Sequence, residues 1–256
     1  MPNAYTSTNP GHRLHGDSVA ALSVSSFVSS PVLTPIAVGG LTPFSTVDYP
    51  GHLAAVVFCP GCPWRCTYCH NPHLQAVDAA AAGKRWPEVV EWLASRRDLL
   101  DSVVFSGGEP LLQHGLAGAM WQVRSLGFGV GLHTAGIYPE RLAGMLPLVD
   151  WIGFDVKAPF SDYARVIGAK SANCGQAAQR SLSWLLASKK RYEVRCTVDE
   201  SLLSPDDARR MAGQLAEMGV ERLVLQRVRD ADGVFRAISP ALVEAAAEAI
   251  KCIELR

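Results

Sequence analysis

A mainly parallel α/β sheet, wound as an open, incomplete TIM-like (βα)6 barrel, is the fold this sequence predicts. Three observations lead there. From Ile36 onward, short apolar runs alternate with longer amphipathic ones. Six such strand–helix repeats are visible, which implies parallel pairing through right-handed crossovers. The chain has 256 residues and is 48% hydrophobic, enough for one sizeable α/β domain. A complete eight-stranded barrel takes ~250 residues and eight repeats, so six repeats predict a sheet that stays open.

The predicted strands are 53–58, 102–105, 130–133, 151–156, 192–198 and 222–228. The first predicted helix, 88–97, follows Pro87, a residue suited to a first helical turn. Patterns at 111–126, 139–146 and 176–189 come next. Helix 205–218 sits behind Ser204, an N-cap residue type, and helix 240–251 behind Ser239.

Residues 1–35 differ from the rest. They are rich in Ser, Thr, Pro, Asn and Gly, with no strand or helix period, and are expected to be a disordered N-terminal extension to a domain spanning 36–256. Their apolar stretch is interrupted by Ser23, Ser25 and Ser26, unlike the core of a secretory signal. Basic and acidic residues balance at 24 each, which gives no reason to expect nucleic acid as principal partner. No apolar run approaches the ~20 residues that span a bilayer. Seven cysteines, four of them clustered, point to metal and to a reducing cytoplasm rather than to disulfides.

Function collects at the carboxyl ends of strands in such sheets, and each predicted strand ends in polar or reactive residues. The first runs into Cys59-Pro-Gly-Cys62-Pro-Trp-Arg-Cys66-Thr-Tyr-Cys69, and the second into Ser106-Gly107-Gly108-Glu109-Pro110. The third ends in His133-Thr134. The fourth carries Asp155 and Lys157, two apart and so on one face; the fifth carries Arg195 and Thr197, and the sixth Gln226. Cys62, Cys66 and Cys69 have the spacing C-x3-C-x2-C, which lets three thiolates wrap one corner of an iron–sulfur cube and leaves a fourth iron open. A zinc site completed by Cys59 or His70 satisfies the same spacing. Taken singly, the glycine turn, the charge pair and the histidine have ordinary structural readings; together, on one rim, they point to a site.

These residues resemble the radical S-adenosylmethionine (SAM) superfamily, from about Gly39 to the last strand. The C-x3-C-x-Tyr68-C motif has the family's aromatic before its third cysteine. The resemblance implies a radical SAM core over 36–256 and a [4Fe–4S] cluster on Cys62, Cys66 and Cys69, with SAM on the open iron. It implies cofactor contacts from Tyr68, Asn71, Gly107, Gly108, Glu109, Thr134, Asp155, Lys157 and Arg195. The Gly107–Glu109 turn would take the methionyl ammonium, its glycines allowing close backbone approach and Glu109 adding negative charge. His133-Thr134 stands where many relatives have Asp-Thr, a departure from the pattern.

Tyr68-Cys69-His70-Asn71-Pro72 is similar to glycyl-radical-enzyme activases. The segment from Gly39 to Gly51 looks like the opening of anaerobic ribonucleoside-triphosphate reductase activating proteins. The implied activity is reductive cleavage of SAM to a 5′-deoxyadenosyl radical, which takes hydrogen from a glycine Cα of a partner enzyme. No cysteine-bearing insertion follows Cys69, so a separate flavodoxin or ferredoxin would supply the electron. Two alternatives stay open. One is a radical enzyme on a small molecule, like the 7-carboxy-7-deazaguanine synthases, using Tyr163, Arg195 and Arg227. The other is a non-enzymatic zinc module with four cysteine ligands.

Overall fold

The computed structural model describes residues 34–77, 85–168, 173–230 and 232–256. Apart from Thr34 and Pro35, the expected N-terminal extension lies outside them. The described chain forms one eight-stranded sheet in sequence order. The strands are β1 (Gly40–Ser45), β2 (Ala54–Cys59), β3 (Ser102–Gly107), β4 (Gly129–Thr134), β5 (Trp151–Asp155), β6 (Arg191–Val198), β7 (Arg222–Arg227) and β8 (Cys252–Leu255). β1 pairs antiparallel with β2, and every later pairing is parallel. β1 and β8 are the two ends of the sheet and do not pair, so the sheet is open.

The helices are α1 (Trp86–Ala94), α2 (Leu116–Ser125), α3 (Pro139–Met145), α4 (Tyr163–Ile167), α5 (Cys174–Ala187), α6 (Pro205–Glu217) and α7 (Pro240–Ala247). Local chemistry sets their starts. Ser204 accepts from the Asp207 amide at 3.2 Å and Asp207 reaches back to the Ser204 amide, a capping box before Pro205. Ser239 caps α7 through the Leu242 amide alone, its own amide donating to Glu200.

The six predicted strands are β2–β7. β1 and β8 extend the sheet beyond the predicted repeats, and α4 is an unpredicted short helix before α5. The predicted helix 111–126 is divided. A 3-10 turn, Pro110–Leu112, ends at extended Gln113, and α2 starts only after Gly115, whose backbone packs against that of Thr34 and Pro35. The last predicted helix stops at Ala247, and the chain turns into β8.

The two faces of the sheet differ. On the helix side Val57, Phe105, Leu132, Phe154, Val194 and Leu225 are fully buried in the main core. On the inner side a small cluster of Tyr49, Ala54, Val56, Val104 and Trp151 fills the space at the amino ends of the strands. Tyr49 stacks on Trp151 with ring centroids 5.0 Å apart, and on His52 at 4.1 Å. That plug closes one end of the inner face, and the polar strand ends surround the other. Among the described residues no helix is long and apolar enough to cross a membrane.

Candidate active site

At the carboxyl ends of the strands lies a cavity of about 250 Å³. Every predicted cluster and cofactor residue, from Cys62 through Arg195, contributes to its wall. Backbone hydrogen bonds hold the cysteine loop from two sides. Gly108 N donates to Cys59 O and Glu109 N to Gly61 O, each at 2.8 Å, joining it to the β3 turn. Arg65 N donates to Ile167 O at 2.8 Å, and the Trp64 ring meets Tyr163 edge-on, so α4 anchors the far side. Gly107 has φ +119°, and a Cβ there would strike the Cys59 backbone. The turn can approach the loop only as glycine.

Cys62, Cys66 and Cys69 are half-buried on the cavity wall. Cys59 is fully buried and faces the helix-side core instead. Burial pushes the Cys62 thiol up to about 12; it also raises Cys66, which the Lys157 ammonium pulls back down. Among the described residues no three Cys, His, Asp or Glu side chains converge where a single metal ion would sit. Cys59 packs into the helix-side core and does not share the cavity wall with the other three cysteines. Thiolates that each bind a different iron of one cluster have no need to converge on one point. Tyr68 supplies a second indication of a ligand: its hydroxyl is buried without a hydrogen-bond partner among the described residues. The donor set, the glycine cradle and this orphan hydroxyl fit a cluster with a small polar ligand.

Glu109 is 1% exposed. Its carboxylate accepts from Leu111 N at 3.1 Å, Thr134 Oγ1 at 2.8 Å and Ala135 N at 3.1 Å. It lines the cavity and ties the glycine turn to the end of β4. Burial raises its pKa to about 7 against those hydrogen bonds.

Across the cavity, Arg195 Nε donates to Asp155 Oδ1 at 2.5 Å, and Lys157 Nζ lies 3.6 Å from Asp155 Oδ2. Burial favours the neutral acid, but Arg195 and Lys157 outweigh it and hold Asp155 well below the usual carboxylate range. The trio carries net positive charge. Gly153 makes room for it, since a Cβ there would sit 2.8 Å from Arg195 Nη1 and 2.9 Å from His133 Cδ2.

His133 is 7% exposed, with Nε2 2.8 Å from the Asp48 carbonyl oxygen and Nδ1 3.2 Å from Ser106 Oγ. Arg195 Nη1 also lies 3.2 Å from Nε2, but the closer Asp48 carbonyl can only accept. The proton is therefore assigned to Nε2, the Arg195 contact is no hydrogen bond, and Nδ1 accepts from the serine. Burial and the Arg195 charge push its pKa to about 4, so the ring is neutral at pH 7.

Sequence reasoning had no signal for Asp48 or Trp64, both in the cavity wall. Asp48 works through its backbone oxygen. Of the residues considered for a small-molecule substrate, only Arg195 lines the cavity. The Tyr163 hydroxyl is buried and accepts from Lys157 N at 3.2 Å, and Arg227 points outward.

Residues 56–174 match the sequence profile of the Radical SAM superfamily. That segment is a radical SAM domain. A Methanocaldococcus jannaschii protein named as a glycyl-radical enzyme activating enzyme is 34% identical over 135 residues, covering 51% of this chain and 54% of that protein. The pyruvate formate-lyase-activating enzyme of Streptococcus mutans is 29% identical over 153 residues, covering 55% and 57%. The chain thus spans about half the length of these curated relatives. The crystal structure of a radical SAM methyltransferase from Sphaerobacter thermophilus superposes with a TM-score of 0.60 at 17% identity, over 81% of this chain and 67% of that one. At that identity the likeness concerns the fold of the radical SAM domain alone.

Proposed function

We propose that this chain is a radical SAM activase, which reductively cleaves SAM at a [4Fe–4S] cluster and generates a glycyl radical on a partner enzyme. Anaerobic ribonucleoside-triphosphate reductase is the partner that the segment from Gly39 to Gly51 favours. The observation that carries this reading is one cavity wall holding the three thiols, the glycine turn and the Lys157–Asp155–Arg195 trio together. The names of two relatives support the activase class.

In this reading Cys62, Cys66 and Cys69 hold the cluster. Backbone groups at Gly107 and Gly108 receive the methionyl ammonium, with Glu109 positioning the turn. Lys157 and Arg195 offer their cations to the methionyl carboxylate, while Asp155 fixes both side chains. Tyr68, Asn71 and Thr134 complete the cofactor wall, and Trp64, Phe58 and Ile137 keep it dry. When bound, the cluster and SAM supply one-electron chemistry that makes a hydrogen-abstracting carbon radical. The unpaired ends β1 and β8 leave the inner face accessible from the side, which suits a polypeptide loop better than a small metabolite. A separate flavodoxin or ferredoxin donates the electron, in the cytoplasm.

The test is anaerobic reconstitution of the full chain, then incubation with reductant, SAM and purified anaerobic ribonucleoside-triphosphate reductase or pyruvate formate-lyase. A glycyl doublet in the electron paramagnetic resonance (EPR) spectrum of one of them is the expected outcome. SAM-dependent turnover of a pterin, with no radical on either protein, would contradict the activase reading.

A further inference from the structure

Two polar side chains of the cavity wall are not used by the proposed chemistry. Thr197 and Gln226 both line the cavity and both are half-buried. They are register partners on the neighbouring strands β6 and β7, so their Cα atoms lie about 5 Å apart. Among the described residues, neither the Thr197 hydroxyl nor the Gln226 amide has a hydrogen-bond partner. Neither polar end is sealed inside the protein, so both face the cavity.

The charged residues of the same inner wall are, by contrast, engaged with one another. Arg195 is held by Asp155. Nearer the amino ends of the strands, the buried Glu193 carboxylate accepts from Arg256 Nη1 at 2.9 Å and Nη2 at 3.1 Å. Glu254 in β8 accepts from Arg256 Nη2 at 2.8 Å and also pairs with Arg222. Arg191, at the start of β6, lies over the Tyr49 ring of the plug, 5.7 Å from its centroid. At the cavity, the inner faces of β6 and β7 thus offer one amide and one hydroxyl rather than a free charge.

A primary amide both donates and accepts, and a hydroxyl does the same. Those are the two capacities that match a peptide group. Glycine has no side chain, so a protein that selects a glycine has only its N–H, its C=O and its slim Cα to recognise. In an extended chain one residue turns its N–H and its C=O to the same side. Two neutral groups on adjacent strands can take both. β7 is also the neighbour of β8, the free edge by which the inner face is reached from the side.

We propose that Thr197 and Gln226 hydrogen-bond the backbone N–H and C=O of the substrate glycine and so hold its Cα in the cavity. This inference rests on the activase reading. It adds to that reading the residues that recognise the glycine itself.

The experiment uses the full reconstituted chain with anaerobic ribonucleoside-triphosphate reductase and with pyruvate formate-lyase. Initial rates of glycyl-radical formation are followed by EPR as the partner concentration is varied, which gives kcat/KM for the partner. A Thr197→Val/Gln226→Met double variant nearly preserves side-chain volume and removes both hydrogen-bonding ends. Its kcat/KM should fall ~10-fold or more, the size expected for two neutral hydrogen bonds. Thr197→Ser, which keeps the hydroxyl, should stay close to the wild type. Iron content, and the SAM concentration that half-changes the reduced-cluster signal, should be the same in all three proteins. An unchanged kcat/KM in the double variant, or a loss in Thr197→Ser as large as that in the double variant, would overturn the inference. So would a parallel loss of SAM affinity, which would put the pair on the cofactor instead. If the wild-type chain raises no glycyl doublet on either partner, the activase reading itself falls; if the double variant raises it as well as the wild type, only this inference does.

Discussion

The helix-facing side of the sheet and its inner side are built from the same strands by different physics. Phe105, Leu132, Phe154 and Val194 point outward, fully buried among helices, each worth about 1.5–3 kcal/mol of burial. One residue along those strands, Ser106, His133, Asp155 and Arg195 point inward and line the cavity. Alternation of side chains along a strand therefore separates what holds the domain together from what does its chemistry. Variants of the two faces should fail in different ways.

The largest expected effect lies on the cysteine loop. Cys66→Ala should lose iron and the brown colour after anaerobic reconstitution, because a corner of the cluster has no thiolate. Cys59→Ala, only a few residues away but on the helix side, should keep full iron and lose about 1 kcal/mol of stability from a small cavity. Equal loss of iron in both variants would break the comparison.

Next comes the outer face itself. Leu132→Ala should cost about 2–5 kcal/mol in urea unfolding, the usual range for a fully buried leucine. Refolded at low temperature, it should still take up iron. Lys157→Met tests the inner face with little change of volume. Asp155 keeps Arg195 as its partner, so the thermal midpoint should move little. SAM affinity should fall about tenfold or more, the size expected for one charged contact in a secluded site. Calorimetry on the reconstituted chain measures it.

The smallest effect concerns pH in the cluster-free chain. His133 has a folded pKa of about 4, below its unfolded value, so it contributes stability above pH ~6.5 that is lost as pH falls towards 4. Glu109, raised to about 7, acts in the opposite direction: its contribution is complete below its unfolded pKa and is lost as pH rises towards 7. The two slopes oppose each other over most of that window. Glu109→Gln removes one of them, so its stability should fall more steeply on acidification than that of the wild type. Parallel curves would mean that Glu109 is not shifted as described.

How far these faces were legible in the sequence also differs. β2 to β7 each carry buried apolar residues, Val, Leu, Ile, Phe and Trp among them, and their short runs stand out between the helical patterns. β1 contains Pro43 at the edge of the sheet and β8 is four residues long, so neither carries that signal. The cysteines and charges of the rim were legible because their side chains stand out in the sequence, and the glycines because a paired Gly-Gly marks a turn with close backbone approach. Asp48 was not, since it offers a backbone carbonyl, and no side-chain pattern announces one. Glu109 was legible as a residue of the rim, but its bonds to β4 were not. Only the positions of Thr134 and Ala135 show that its carboxylate binds β4.

The most direct test of the central claim, that three inner-rim thiols hold a cluster open to SAM, is an EPR titration. The full chain is reconstituted anaerobically, reduced, and titrated with SAM. The reduced cluster signal should change shape as SAM binds, and Lys157→Met should need a higher concentration for the same change. A fully iron-loaded chain whose spectrum stays the same at saturating SAM would contradict the account.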